Sequence, residues 1–342
     1  MKIGAIDLFC GAGGLTCGLK KAGVDVVAGI DFDNSCKFPY EYNNNTSFIN
    51  EDIHNIKGTE IKKALRGYDI KVLVGCAPCQ PFSNHQKDKK NRKKHKDWSL
   101  LYEFSRIINE CKPTIISMEN VPELAKEKVF KDFIKNLEKN KYKISYSIVN
   151  VADYGVAQNR KRLILLASKK NNIQLISPTN KNNYVTVKHV IGHLPRISAG
   201  ATCKTDELHT SASLSALNIE RIKASKQDGT WEDWPPKLIL KCHRKKTGKT
   251  YSSVYGRMSW NKPSPTITTQ FTSYGTGRFG HPTQNRAISL REGALLQSFP
   301  RNYCFSNKVN KSNFQTIARQ IGNAVPPRLG EIIGLSIIQS VD

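Results

Sequence analysis

The stretch GCAPCQPFS (residues 75–83) sets Cys76 and Cys79 three positions apart, with Pro78 between them and a Gln-Pro pair behind. Taken alone, the spacing fits a redox dithiol, half of a metal site, or a nucleophilic thiol held in a turn. Further along lie Glu119 in MENV and the pair Arg160 and Arg162 in QNRKR (158–162). A thiol, a carboxyl and two guanidinium groups can combine nucleophilic attack, proton delivery and anion stabilisation. Upstream, FCGAGG (9–14) carries glycines that let a backbone approach a ligand closely. Asp31 follows in AGIDFD, where a carboxylate can accept two ribose hydroxyls, and Phe32 beside it can cover an adenine face. Asp52 in NEDIHNI ends a short third strand at adenine depth. Together these residues read as an adenosine-type cofactor site beside reactive side chains.

Such residues need a scaffold that gathers them. Apolar runs at 2–9, 24–31, 70–78, 113–121, 143–155 and 161–168 alternate with helical stretches such as LTCGLKKAG (15–23). That alternation predicts an α/β domain with a doubly wound, mostly parallel sheet. In such sheets ligands bind at the carboxyl ends of the strands, which places Cys79 and Glu119 on one crevice. Strand alternation puts Arg160 and Arg162 on one face. From about residue 170 the chain turns polar and irregular, which reads as a second, smaller domain with long loops. Helical spacing returns in NFQTIARQIGNAVPPRLGEIIGLSIIQ (313–339), around a Pro-Pro break.

The 342 residues suffice for one or two domains, and 53 Lys and Arg against 28 Asp and Glu leave a net charge of +25. A balance this basic points to a polyanionic partner, nucleic acid first, although Lys/Asn/Ile enrichment also contributes. The run HQKDKKNRKKHK (85–96) is either a solvated charge run or a loop closing over DNA phosphates. No apolar run approaches the roughly 18 residues of a membrane helix, and the N-terminus lacks signal-peptide character. An intracellular, cytoplasmic protein with reduced cysteines is expected. Nine scattered cysteines without a second close-spaced ligand pair predict no metal site.

The order of these motifs resembles the cytosine-C5 DNA methyltransferase family of bacteria and phages. DLFCGAGGLTCGL is similar to the family's first motif, GCAPCQPFS to its Pro-Cys-Gln nucleophile motif, and MENV to its Glu-Asn-Val motif. DYGVAQNRKRLILLA resembles the Gln-x-Arg-x-Arg segment, RMSWNKPSPTIT with HPTQNRAISLREGALLQSFP the segment before the end, and QIGNAVPP the last motif. The resemblance covers about three quarters of the chain and implies the S-adenosylmethionine-dependent methyltransferase fold. It implies methyl transfer to C5 of a flipped-out cytosine in a short duplex DNA site, releasing S-adenosylhomocysteine. It makes Cys79 the nucleophile and leaves Cys76 a packed thiol. Glu119 neutralises charge on the ring, and Arg160 and Arg162 hold the O2 side of the base and the Cys79 loop, with Arg162 the base contact.

The cofactor would lie among Phe9, Gly11, Gly13, Asp31, Phe32, Asp52, Ile53, Pro78 and Asn323, the last returning from the C-terminus. The catalytic domain is then discontinuous, 1–175 plus 308–342, and 176–307 reads the target. Gln80, Ser83, Lys87, Lys89, Lys90, Arg92, Lys93, Lys94, Arg244, Arg257 and Arg278 are the expected DNA contacts. Trp231, Trp234, His209, Lys245 and Lys246 are further candidates. A monomer is expected, either solitary or beside a separately acting restriction endonuclease. Two other readings remain: a tRNA cytosine-C5 methyltransferase and a catalytically dead DNA-binding regulator. The stretch SFPRNYCFSN lacks the Cys-Phe-Thr tripeptide of the tRNA branch, and retention of Cys79, Glu119, Arg160 and Arg162 opposes a dead enzyme.

Overall fold

The computed structural model describes residues 1–78, 98–245, 247–248 and 252–341. The first half alternates strand and helix: β1 (Ile3–Leu8), α1 (Gly14–Ala22), β2 (Asp25–Asp31), α2 (Lys37–Asn44), β3 (Ser47–Asn50), α3 (Gly58–Ala64) and β4 (Ile70–Gly75). Then follow α4 (Trp98–Cys111), β5 (Ile115–Asn120), α5 (Lys128–Lys139), β6 (Lys143–Asn150) and β7 (Lys161–Ser168). The seven strands form one sheet in the order β3-β2-β1-β4-β5-β7-β6. Pairs among β1 to β5 are parallel, and β7 runs antiparallel to both β5 and β6. This is the doubly wound, mostly parallel sheet that the apolar runs predict. The run at 143–155 is shorter as a strand than expected. It ends at Asn150, whose side chain accepts from Ala152 N, and a tight turn closes on Gly155 at φ 86°.

Continuous apolar runs mean both faces are covered. In β7, Leu163, Leu165 and Ala167 enter one hydrophobic cluster, while Ile164 and Leu166 enter another. The first cluster takes Ile61 of α3, Phe104 and Ile108 of α4, and Phe130 and Phe133 of α5. The second takes Leu15 and Leu19 of α1.

The later chain holds α6 (Val187–Ile191), the ribbon of β8 (Thr202–Cys203) and β9 (Asp206–Thr210), α7 (Ala216–Ala224), α8 (Leu290–Leu296), α9 (Phe314–Asn323) and α10 (Pro327–Gln339). Ile333 and Ile337 of α10 complete the second sheet cluster. Ile317, Ala318 and Ile321 of α9 instead pack with Ile267, Phe271, Leu290 and Leu296. The α8 start is built on a buried pair: Arg286 donates to both Glu292 oxygens at 2.7 Å, and Glu292 also accepts from Ser289 N. No described helix is long and apolar enough to cross a membrane.

Helix α10 returns to lie on α1 at backbone distance. A Cβ at Gly18 would sit 2.1 Å from Pro327 O and 2.4 Å from Glu331 N. Gly18→Ala must therefore push the helices apart, and overpacking of this kind costs about 1–3 kcal/mol. Urea unfolding should show a lower midpoint; a midpoint equal to wild type would mean that the contact yields freely.

Candidate active site

The carboxyl ends of β1, β2, β4 and β5 lie along one edge of the sheet, and the segments leaving them carry the reactive residues. After β1, Phe9 is held at φ 58°, a left-handed conformation rare for a bulky residue, and Gly11 follows at φ 51°. Backbone strain of this kind concentrates at ligand sites. No atom lies within 4 Å of where a Gly11 Cβ would be, so this turn faces open space. Gly13, at φ 87°, is the N-cap of α1.

Asp31 ends β2 and ties the turns together. Its Oδ2 accepts from Gly11 N at 2.9 Å and its Oδ1 from Asp33 N at 2.9 Å. Burial raises its pKa, and the two N–H donors oppose that. Each oxygen has a second lone pair for a ribose hydroxyl. Phe32 beside it is 69% exposed, an aromatic face awaiting a partner. Asp52 is exposed and accepts from His54 N at 3.0 Å, with His54 Nδ1 at 2.6 Å. The backbone donor, then the ring, holds the Asp52 pKa below the usual value. Ile53 is buried in the sheet core, and its carbonyl is held by Arg106 Nη2 at 3.0 Å.

The chain crossing is visible here. Arg319 and Gln320 of α9 bind the segment behind β2, through Asp33 Oδ2 at 2.5 Å and Ser35 O at 2.8 Å. A Cβ at Gly14 would lie 2.3 Å from Val325 O, so QIGNAVPP touches the first glycine turn. Asn323, exposed at the end of α9, stands beside that contact. An open glycine turn, a ribose-type carboxylate and an uncovered aromatic ring suit an adenosine-bearing cofactor.

Glu119, near the end of β5, is 3% exposed. Arg162 Nε lies 2.8 Å from its Oε1, and the Cys76 thiol lies 2.7 Å from its Oε2. Oε1 forms the ion pair without an aligned hydrogen bond, which leaves a lone pair directed elsewhere. Next in MENV, Asn120 Nδ2 donates to Ala77 O at 3.1 Å, fixing the backbone just before the half-buried Pro78. Cys79, Gln80, Ser83, Lys87, Lys89, Lys90, Arg92, Lys93 and Lys94 lie outside the described residues, as does Lys246.

Several expectations need correction. Arg160 does not serve the base. It is 4% exposed, and its guanidinium binds Ile267 O at 2.9 Å and Gly322 O at 3.3 Å, clasping the later chain. Burial, then the neighbouring Arg162, pushes its pKa down to about 9. Arg257 is not a DNA contact either. It is 5% exposed and donates to the carbonyls of Ile222, Ser225, His281 and Gln284 and to Asn285 Oδ1. Trp231 and Trp234 are buried in a hydrophobic cluster, and His209 is bound between Ser289 and Pro195 O. Arg278 is partly exposed and paired with Asp228. Arg244 and Lys245 are exposed. Cys76, expected as a packed thiol, does pack against the second sheet cluster, and its thiol also meets Glu119.

Two residues inside the quoted motifs have structural roles that the sequence reading does not include: Asn120 and Gln158. Gln158 is fully buried and joins the β6–β7 turn to Leu296 O, Gln297 Oε1 and Ile267 N. Asn159 beside it is polar and exposed, so the local pattern held no signal of that burial.

Two measurements test this account. Asp7, beneath the glycine turn, is 1% exposed, and burial raises its pKa from 3.8 to about 7 against the Thr16 hydroxyl bond. The stability that its bound proton confers is therefore full below pH 3.8 and lost as pH rises through about 7. Asp7→Asn should flatten that decline, a few kcal/mol at most, in urea unfolding followed against pH. An identical slope in the variant would remove Asp7 as its cause. Separately, Arg257→Ala should cost several kcal/mol by orphaning buried carbonyls. Arg244→Ala should leave stability intact and lower the log–log salt slope of DNA binding by about 0.9.

The family model for C-5 cytosine-specific DNA methylase matches residues 3–339. The chain is 51% identical to Type II methylase M.HgiDII of Herpetosiphon aurantiacus over 336 residues, covering 97% of this chain and 94% of that protein. It is 30% identical to Type II methyltransferase M.DdeI of Desulfomicrobium norvegicum, covering 96% and 86%. Among solved structures, a prophage-encoded protein of Escherichia coli shares the fold, with a TM-score of 0.75 at 22% identity and 99% coverage of both chains. With an open glycine turn and a buried glutamate–arginine pair on one edge of the sheet, and a family match along almost its whole length, this chain belongs to the C-5 cytosine-specific DNA methylases.

Proposed function

We propose that this S-adenosylmethionine-dependent DNA (cytosine-5-)-methyltransferase is the modification enzyme of a Type II restriction–modification pair. It acts as a monomer in the cytoplasm, with the endonuclease acting separately and residues 176–307 reading the target. The observation that supports the chemistry best is the buried Glu119 carboxylate, held at 2.8 Å by Arg162 beside the cofactor pocket. The 51% identical relative named as a Type II methylase supports the restriction–modification context.

When bound, S-adenosylmethionine supplies an electrophilic methyl group. Asp31 would hold the ribose, Phe32 would cover the adenine, Asp52 would meet its amine, and Phe9, Gly11, Gly13, Pro78 and Asn323 would line the remainder. Ile53 supports that wall from the core. Cytosine C5 is a weak nucleophile, so the ring is activated first. The Cys79 thiolate adds to C6, and C5 becomes the carbon of an enamine. Glu119 holds the proton at N3 that neutralises charge on the ring, and Arg162 holds Glu119 and faces O2. After transfer the C5 proton leaves and the thiolate is expelled. The base must leave the duplex stack to reach these groups, and phosphate contacts from the basic residues offset that cost.

The test is a covalent trap. DNA carrying 5-fluorocytosine at the target, given S-adenosylmethionine, should form a protein–DNA adduct, because fluorine cannot leave C5 as a cation. Cys79→Ser should bind DNA yet form none, since a hydroxyl ionises far less readily than a thiol near about 8.5. Transfer RNA should not be methylated. Methylation of tRNA alone, or an adduct that survives Cys79→Ser, would overturn the reading.

A further inference from the structure

We infer that Cys76 is a positioning residue: its thiol sets the plane of the Glu119 carboxylate. The inference rests on the methyl-transfer reading above and adds a residue to it. The contact follows from register. Gly75 of β4 pairs with Met118 of the parallel strand β5, so the next residues, Cys76 and Glu119, emerge side by side at the same sheet edge. Cys76 Sγ lies 2.7 Å from Glu119 Oε2, on the opposite side of the carboxyl from Arg162 Nε at 2.8 Å from Oε1.

One contact cannot do this alone. The last torsion of a glutamate is broad, so a carboxylate held at a single oxygen still rotates about its own axis. The thiol donor at Oε2 and the Arg162 cation against Oε1 together remove that freedom and aim the remaining lone pair of Oε1. The donor on the Cys76 side is itself fixed, because Asn120 Nδ2 holds the adjacent Ala77 carbonyl at 3.1 Å. A few tenths of an ångström at Glu119 matter, because proton delivery to a ring nitrogen is tolerant of little misplacement.

Two readouts test this. The S–H stretch of Cys76, isolated as the infrared difference between wild type and Cys76→Ser, should lie at the lowered frequency of a bonded thiol. It should rise in Glu119→Ala. In kinetics, Cys76→Ala should reduce kcat about tenfold, the scale of one hydrogen bond to a charged group. KM for DNA and the cofactor dissociation constant should stay unchanged. Cys76→Ser should restore most of kcat, since a hydroxyl donates from nearly the same place. A stretch indifferent to Glu119→Ala overturns the contact. A shifted stretch with wild-type kcat in Cys76→Ala overturns the positioning role. Loss of cofactor binding and kcat together in both variants would assign Cys76 to packing and also overturn it. A wild-type enzyme that methylates no DNA would overturn the functional reading and this role with it, while the infrared shift would still report the contact itself.

Discussion

A carboxyl group with 3% of its surface exposed needs partners in place of water, and at Glu119 those partners depend on the local topology. Arg162 can reach it only because β7 runs antiparallel to β5. Asn120 pairs with Leu163, so the first residues of β7 stand at the edge where β5 ends. Had β7 been parallel, its first residues would lie at the opposite edge. The other neighbour, Cys76, comes from the parallel partner β4. One glutamate is thus held by the residue that follows β4 and by the start of β7, and the same edge carries the glycine turn and Asp31.

The pocket is completed by chain from the far end of the sequence. Helix α10 covers the sheet face beside α1, and the close approach at Gly18 leaves no room for a side chain. With α10 anchored, the preceding residues 323–326 run beside Gly14, and α9 reaches the turn behind β2 through Arg319 and Gln320. Arg160 binds α9 at Gly322 O and the later chain at Ile267 O, so the turn before β7, α9 and the later chain share one buried cation. Burial lowers the Arg160 pKa only to about 9, so the cation keeps its charge near neutral pH.

The positive charge has two uses that composition cannot separate. The net +25 is consistent with a polyanionic substrate. Yet Arg160, Arg257 and Arg286 are internal, the first two satisfying carbonyls such as Ile267 O and His281 O, the third the Glu292 carboxylate of α8. A guanidinium has five donors in a fixed fork, which suits it to irregular backbone that lacks strand or helix partners. Regions 196–286, with little regular structure, supply such backbone in quantity.

Much of the fold and half of the site were legible in the chain itself. Runs such as KRLILLAS carry their burial at every position, so strands, sheet class and the loops at strand ends follow from local pattern. Phe9, Gly11, Gly13, Asp31 and Glu119 sit at those ends and could be placed accordingly. Arg257, Trp231, Trp234 and His209 could not, because a basic or aromatic residue in a loop looks the same whether it meets phosphate or protein carbonyls. Cys76 was hidden for a related reason: local spacing pairs it with Cys79, whereas its partner in space is Glu119, 43 positions away. Sequence alone determined which side chains exist and which strand ends carry them. Tertiary structure alone decided which groups are desolvated together, since that depends on strand register and on loops converging from distant parts of the chain.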